Sequence, residues 1–100
     1  MKSETVILEA QGVVFFSQHD EAAFFEWLGK LDCVTNYEGA GIAIDISVEK
    51  DKVDEVQMRE LLSLFNRYKI NMNELAVLDC PEFSTWLHDE GGYWYKSMFG

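Results

Sequence analysis

The clearest pattern in the chain is the strict alternation of apolar and polar residues over positions 42–49. A period of two is typical of a strand with one buried face and one solvated face. Asp45 and Glu49 lie among the positions expected to face water. The positions expected to face the core are Ile42, Ile44, Ile46 and Val48. This segment therefore predicts the best-defined strand of the protein.

Weaker strand patterns occupy residues 5–10 and 33–38. The glycines within 39–41 predict a tight turn before the alternating segment. Residues 13–16 form a short apolar run behind a Gln-Gly turn signal at 11–12, so this stretch predicts either a hairpin or one long bulged strand. Together these segments predict a small four-stranded sheet, antiparallel because the strands are joined by tight turns.

Two long amphipathic helices are also predicted, each with a start signal. The first covers residues 17–31, with Ser17 as N-cap and Asp20 three residues later. The second begins at Asp54, which is followed by Gln57 at the same spacing. The core positions expected from helical spacing are Phe24, Phe25, Leu28, Leu31, Met58, Leu61, Leu62, Phe65 and Tyr68.

Capping pairs recur twice in the last third of the chain. Asn71 with Glu74 is one such pair and Asp79 with Glu82 is another, with Pro81 placed in the first helical turn of the latter. Helices this short are not stable alone and must pack on other elements. We therefore expect two short packed helices, over residues 72–78 and 80–88.

The chain ends in GGYWYKSMFG, which places four aromatic rings in its last eight residues. Such a tail either seals the core or forms an aromatic surface that contacts a partner. The order of elements predicts an α+β fold, in which a small antiparallel sheet is packed on one face by helices and the C-terminal half is helical. One hundred residues are enough for one core, so we expect a single domain over residues 1–100.

The charge is strongly negative, with 18 acidic and 8 basic residues and a formal net charge of -10. Nucleic-acid binding depends on clustered Lys and Arg, so direct binding to nucleic acid is not expected. The charge serves either solubility or the steering of a basic protein partner. No membrane-spanning run or export signal is evident, which favours a cytoplasmic protein with Cys33 and Cys80 reduced.

Candidate chemistry is sparse. The motif His-Asp-Glu occurs twice, at 19–21 and 88–90, but adjacent residues on a helix point about 100° apart and do not converge on one ion. Neither cysteine has a histidine nearby in sequence, and Gly39 to Gly41 is too short for a phosphate loop. We therefore expect no catalytic residue, no cofactor and no metal, and a protein that binds rather than reacts.

Acidic side chains concentrate around the alternating strand and are the first candidates for a partner contact. The alternative is a solvated sheet edge that charge protects against aggregation. Expected near one end of the sheet are Glu38, Asp45, Glu49, Asp51, Asp54 and Glu55. The second candidate region is Trp94 with Tyr95.

The stretches FFSQHDEAAFFEWLGKL, YKINMNELAVL and YWYKSMFG resemble small bacterial immunity proteins encoded beside contact-dependent growth inhibition toxins. The resemblance covers most of the chain in order and consists of hydrophobic and aromatic patterning. It implies a cytoplasmic antitoxin that binds the C-terminal toxin domain of a cognate effector, often a nuclease with a basic surface. No contact residue is carried over from the family. The alternatives are a non-catalytic adaptor or regulatory subunit, and a hydrolase that uses the His-Asp-Glu pairs.

Overall fold

The protein, seen in a computed structural model that describes residues 4–99, has an antiparallel sheet of three strands within that range. The strands are β1 (Thr5–Gln11), β2 (Val34–Ala40) and β3 (Ala43–Glu49). Their spatial order is β1-β3-β2, so the strand with the best sequence pattern lies in the centre. The expected domain of residues 1–100 reaches outside the described residues at positions 1–3 and 100.

The fourth strand predicted over residues 13–16 is wrong, because this segment leaves the sheet. Gly12 adopts a φ of +66°, and its N–H donates to the Ile42 carbonyl at 3.2 Å, which closes this end of the sheet. Phe15 then turns toward the helices, with its ring centroid 5.4 Å from that of Phe24 and 6.1 Å from that of Tyr68. Ring packing therefore replaces strand pairing here.

Helix α1 (Gln18–Lys30) begins as the sequence indicates. The Ser17 hydroxyl oxygen accepts the N–H of Asp20 at 3.1 Å and so satisfies a donor of the first turn. The carboxylate of Asp20 accepts the N–H of Phe16 at 3.0 Å, one residue before the N-cap. The pair thus fixes both the helix start and the chain that enters it.

Helix α2 (Glu55–Arg67) is capped by Asp54, whose carboxylate accepts the Gln57 N–H at 2.8 Å. Gln57 does not complete a capping box, because its side-chain oxygen accepts the N–H of Cys33 at 3.2 Å. That hydrogen bond connects α2 with the entry to β2. The side chain of Gln57, which the sequence pattern assigns to a helix cap, therefore makes a tertiary contact instead.

The C-terminal part is helical but more tightly wound than predicted. Met72–Leu78 and Pro81–Phe83 are 3-10 helices, followed by the short α-helices α3 (Ser84–Leu87) and α4 (Tyr95–Phe99). The expectation that Asp79 caps a helix is wrong, because its carboxylate contacts His88 Nε2 at 2.8 Å and no side chain caps Pro81–Phe83.

The core lies between one face of the sheet and the helices, which confirms the predicted α+β arrangement. Ile42 is the exception among the alternating positions: it is 85% exposed, because β3 starts one residue later and Ile42 lies in the turn. Ile44, Phe25 and Tyr68 are partly buried against the core. The sheet contributes to the buried core Leu8, Ala10, Ile46 and Val48. The two long helices contribute Phe24, Leu28, Met58, Leu61, Leu62, Leu64 and Phe65.

The aromatic tail belongs to the core. Trp94 is 8% exposed, and its indole N–H donates to the Leu87 carbonyl at 2.7 Å. Met98 is 1% exposed, and its carbonyl accepts a hydrogen bond from the Asn73 side-chain amide at 2.8 Å. The sequence left open whether the tail seals the core or contacts a partner, and the structure shows that Trp94 and Met98 pack in the core. Tyr93, by contrast, is 53% exposed.

Candidate functional site

The second face of the sheet presents a row of three carboxylates. Glu9 of β1 lies directly opposite Asp45 of β3, and Glu38 of β2 lies directly opposite Asp45 on its other side. Side chains directly opposite on neighbouring strands have Cβ atoms about 5 Å apart and point to the same face. We call Glu9, Asp45 and Glu38 the acidic row.

No residue of the acidic row forms an ion pair in the described part of the chain. The ion pairs found there lie elsewhere and join Lys30 to Glu26, Lys50 to Glu4, Lys52 to Glu49 and Arg59 to Glu55, while His88 is hydrogen-bonded to Asp79. Within the row, Glu9 accepts a hydrogen bond from the side chain of Gln11, which is neutral. Like charges directly opposite one another destabilise a sheet. The fold therefore retains an arrangement that works against its own stability.

A fourth carboxylate extends the row at the sheet edge. Glu74, from the 3-10 helix Met72–Leu78, accepts the backbone N–H of Glu9 at 2.8 Å. This contact covers part of the outer edge of β1, where an unpaired N–H would otherwise be open to another strand. The negative field therefore runs across the whole width of the sheet, from Glu74 to Glu38.

The six acids that the sequence grouped together divide into two sets. Glu38 and Asp45 belong to the acidic row, whereas Glu49 lies four residues along β3, about 13 Å away at the usual rise per residue. Glu49 forms an ion pair with Lys52 at 3.3 Å. Asp51 is exposed in the adjoining 3-10 helix Lys50–Lys52.

The two remaining acids of that group are used by α2 itself. Asp54 caps the helix, and Glu55 accepts a hydrogen bond from Arg59 at 3.0 Å, one turn along. Their charges are therefore partly engaged in local contacts. This second set is the weaker candidate for contact with a partner.

Sequence reasoning missed Glu9 and Glu74 as members of the acidic surface. Glu9 was in a predicted strand, but its neighbours across the sheet depend on strand order and register, which the pattern does not give. Glu74 was interpreted as a helix-capping residue, whereas its carboxylate reaches a strand 65 residues earlier in the chain. No signal in the sequence links these positions.

The second candidate region, Trp94 with Tyr95, does not form an exposed aromatic patch. Trp94 is buried, and Tyr95 is partly buried and packs against Phe99 with ring centroids 5.5 Å apart. The ring of the tail that faces outward is Tyr93, whose hydroxyl lies 3.3 Å from that of Ser63.

Residues with possible chemistry elsewhere are engaged in packing. The His88 ring stacks on Phe99 with centroids 4.6 Å apart and holds Asp79. Cys33 and Cys80 are free thiols, and burial raises the pKa of Cys33 to about 11. Over residues 4–99, no group of three or more His, Cys, Asp or Glu is arranged to hold a metal ion.

No helix within the described range has both the length and the apolar character needed to cross a membrane. Comparison of the chain with protein-family models, with curated proteins and with solved structures gives no match in any of the three.

Proposed function

We propose that this protein is a non-catalytic binding domain that captures a basic protein, and that its partner is the toxin domain of a contact-dependent growth inhibition effector. In this proposal it acts in the cytoplasm as an immunity protein. The observation that carries the proposal is the acidic row, a set of like charges aligned across the sheet that forms no ion pair within residues 4–99. The resemblance of the aromatic and apolar segments supplies the kind of partner.

The charge of the row suits the capture of a basic surface. A negative patch on a chain of net charge -10 accelerates encounter with a positively charged partner and repels acidic ones. Nucleases carry such positive surfaces because they bind phosphate backbones. Occupation of that surface by carboxylates excludes the substrate without any chemical step.

The face around the row is suited to contact with a protein. Ile7 is 56% exposed on the same face as Glu9, and it lies opposite Ser47. An exposed apolar side chain next to charges provides area to bury at the centre of an interface, with a polar rim around it. This exposed side chain supports the proposal of a protein contact on the strand face, rather than a face that is only solvated.

The test measures association with the C-terminal domain of the polypeptide encoded immediately upstream of this gene. Association rates of the wild type and of an Asp45→Asn, Glu38→Gln double variant are measured by stopped-flow fluorescence at low and high salt. We expect the double variant to associate more slowly and with a flatter dependence on salt, because screening then has less charge to act on.

The control is a Glu82→Gln, Glu90→Gln double variant, which removes the same charge from exposed positions in the C-terminal segment. It is expected to keep most of the wild-type rate. Equal slowing in the two double variants assigns the effect to net charge and removes the acidic row from consideration. Absence of any binding rejects the immunity proposal and favours an adaptor in another cytoplasmic complex.

A further inference from the structure

A cavity of about 420 Å³ lies between the C-terminal end of α2 and the segment that leaves β1. Its volume is within the range of small-molecule sites. The cavity, called here the loop pocket, is separate from the acidic row. It is lined by Gly12, Val14, Phe16, Asp20, Arg67, Tyr68 and Lys69.

The loop pocket holds two of the eight basic residues of an otherwise acidic chain. Over the described residues, the side chains of Arg67 and Lys69 form no ion pair or hydrogen bond with another side chain. Asp20 is the one carboxylate of the lining, and its Oδ2 accepts the N–H of Phe16. The lining thus holds more cations than carboxylates, and neither cation has a side-chain partner among the described residues.

The backbone at Lys69 gives a second, independent reason to assign a role to its charge. Lys69 has a φ of +57°, the only positive φ at a non-glycine residue in the described range. It occupies the left-handed position after α2, where Ile70 N–H donates to the Phe65 carbonyl at 2.9 Å. Glycine is preferred at this position, because in the left-handed conformation a Cβ lies too close to the following carbonyl oxygen.

Interaction with the helix dipole explains only part of the presence of a lysine, rather than a glycine, at position 69. Cations near the C-terminus of a helix are favourable, and Arg67 in the last turn already provides one. Residues held in sparsely populated backbone regions cluster at functional sites, so the positive φ of Lys69 is consistent with a role for this residue in the pocket.

The apolar part of the loop pocket is open. Phe16 is 89% exposed and Val14 is 61% exposed, although both are large hydrophobic side chains. Tyr68 adds an aromatic wall, since its ring packs on Phe24 at a centroid distance of 4.9 Å. A ligand with an apolar body would bury these surfaces, and burial of apolar area is favourable.

We propose that the loop pocket binds an amphipathic organic carboxylate, whose apolar chain or ring lies against Phe16, Val14 and Tyr68 and whose carboxylate is held by Arg67 and Lys69. This chemistry is shared by free aryl or acyl acids and by the C-terminal carboxylate of a peptide that ends in an aromatic residue. The site is distinct from the surface proposed to bind the toxin.

The test is an NMR titration of the full-length, isotope-labelled protein with 4-phenylbutyrate, and with its neutral amide as the matched ligand. We expect saturable shifts at the amides that line the loop pocket. Affinity for the amide should be lower by roughly tenfold or more, since a charge-assisted hydrogen bond contributes about 1.5–3 kcal/mol. The tripeptide glycyl-glycyl-phenylalanine and its C-terminal amide form a second ligand pair. The carboxylate that binds more tightly, free acid or chain end, indicates the source of the natural ligand.

The decisive variant is Lys69→Gly, which removes the charge and relieves the positive φ. We expect carboxylate affinity to fall roughly tenfold while the melting temperature rises, so that weaker binding is not a consequence of unfolding. Lys96→Gln, at an exposed lysine of α4, should leave affinity unchanged. Equal affinity of carboxylate and amide, absence of saturable shifts, or unchanged affinity in Lys69→Gly would each overturn the proposal.

Discussion

At the scale of single residues, burial decides the ionisation of Cys33. The thiol is inaccessible, and burial raises its pKa from 9.0 to about 11, with Asp54 and Asp32 adding to the rise and a backbone hydrogen bond opposing it. The unfolded chain loses this proton near pH 9, whereas the folded chain keeps it to about pH 11. The contribution of the neutral thiol to stability is therefore complete below pH 9 and lost as the pH rises through this window.

We predict that the difference in the free energy of unfolding between wild type and Cys33→Ala shrinks as the pH rises from 9 toward 11. Urea unfolding followed by circular dichroism at several pH values provides the measurement. A difference that stays constant across this range would show that Cys33 titrates alike in the folded and unfolded chains.

Position 92 requires a glycine, because any larger residue there would collide with the ring of Trp94. A Cβ at Gly92 would lie 2.5 Å from Trp94 Cζ2, and the rigid ring has no free space to move into without leaving the core. We predict that Gly92→Ala destabilises the protein by about 1–3 kcal/mol, the range for overpacking a core. Thermal unfolding monitored by Trp fluorescence measures this loss.

Gly29 provides the matched substitution with the opposite expected sign. A Cβ there meets nothing within 4 Å, and the residue lies inside α1. Gly29→Ala should stabilise the protein by up to about 1 kcal/mol, because alanine loses less backbone freedom in a helix. Equal effects of the two substitutions would mean that contact with the indole does not decide the cost at Gly92.

At the scale of elements, the start of α2 depends on one acceptor. Asp54→Ala removes the oxygen that accepts the Gln57 N–H and should cost about 0.5–2 kcal/mol, the usual value of an N-cap. Asp54→Asn keeps an acceptor in place and should stay close to wild type in stability. Chemical denaturation of the three proteins under the same conditions tests this. Equal loss in Asp54→Asn would point to charge, rather than the cap, as the stabilising feature.

The C-terminal elements show how tertiary contacts redirect local signals. Glu74 and Asp79 both stand where the sequence indicates helix caps, yet Glu74 binds a strand edge and Asp79 binds His88. Glu74 accepts the backbone N–H of Glu9, and Asp79 accepts the ring N–H of His88. If these carboxylates capped helices instead, both N–H groups would have to bind water. A capping pair in a short segment is therefore a weaker predictor than the same pair before a long amphipathic helix.

At the scale of the whole molecule, the excess of negative charge opposes compaction. A net charge of -10 on 100 residues produces self-repulsion that salt screens, with a Debye length of about 8 Å at 0.15 M. We predict that the melting temperature rises between low salt and about 0.15 M sodium chloride, and rises less in an Asp45→Asn variant. Calorimetry at matched pH measures both. A melting temperature indifferent to salt would contradict the self-repulsion argument.

Prediction from the sequence succeeded where the signal was local. The sequence correctly predicted the alternation in β3, the caps Ser17 and Asp54, and the spacing of apolar residues in α1 and α2. Each of these features reflects geometry within one element. The segment 13–16 was misread because a short apolar run fits a strand or a loop that delivers Phe15 to the core equally well.

The candidate site was predictable only in part. Asp45 and Glu38 were recognised as acids near the best strand, but the row depends on β3 lying between β1 and β2. The pattern of a single strand does not give its neighbours in the sheet or its register with them. Glu9 therefore joins the site only once the chain has folded.

The sequence alone determined the class of the fold, the sign of the surface charge and the start of both long helices, because these follow from periodicity, composition and contacts a few residues apart. Only the tertiary structure decided that Trp94 seals the core, that three carboxylates align across one face of the sheet, and that Arg67 and Lys69 meet Phe16 at one pocket. Each of these depends on residues far apart in the chain, whose proximity is set by packing of the whole core.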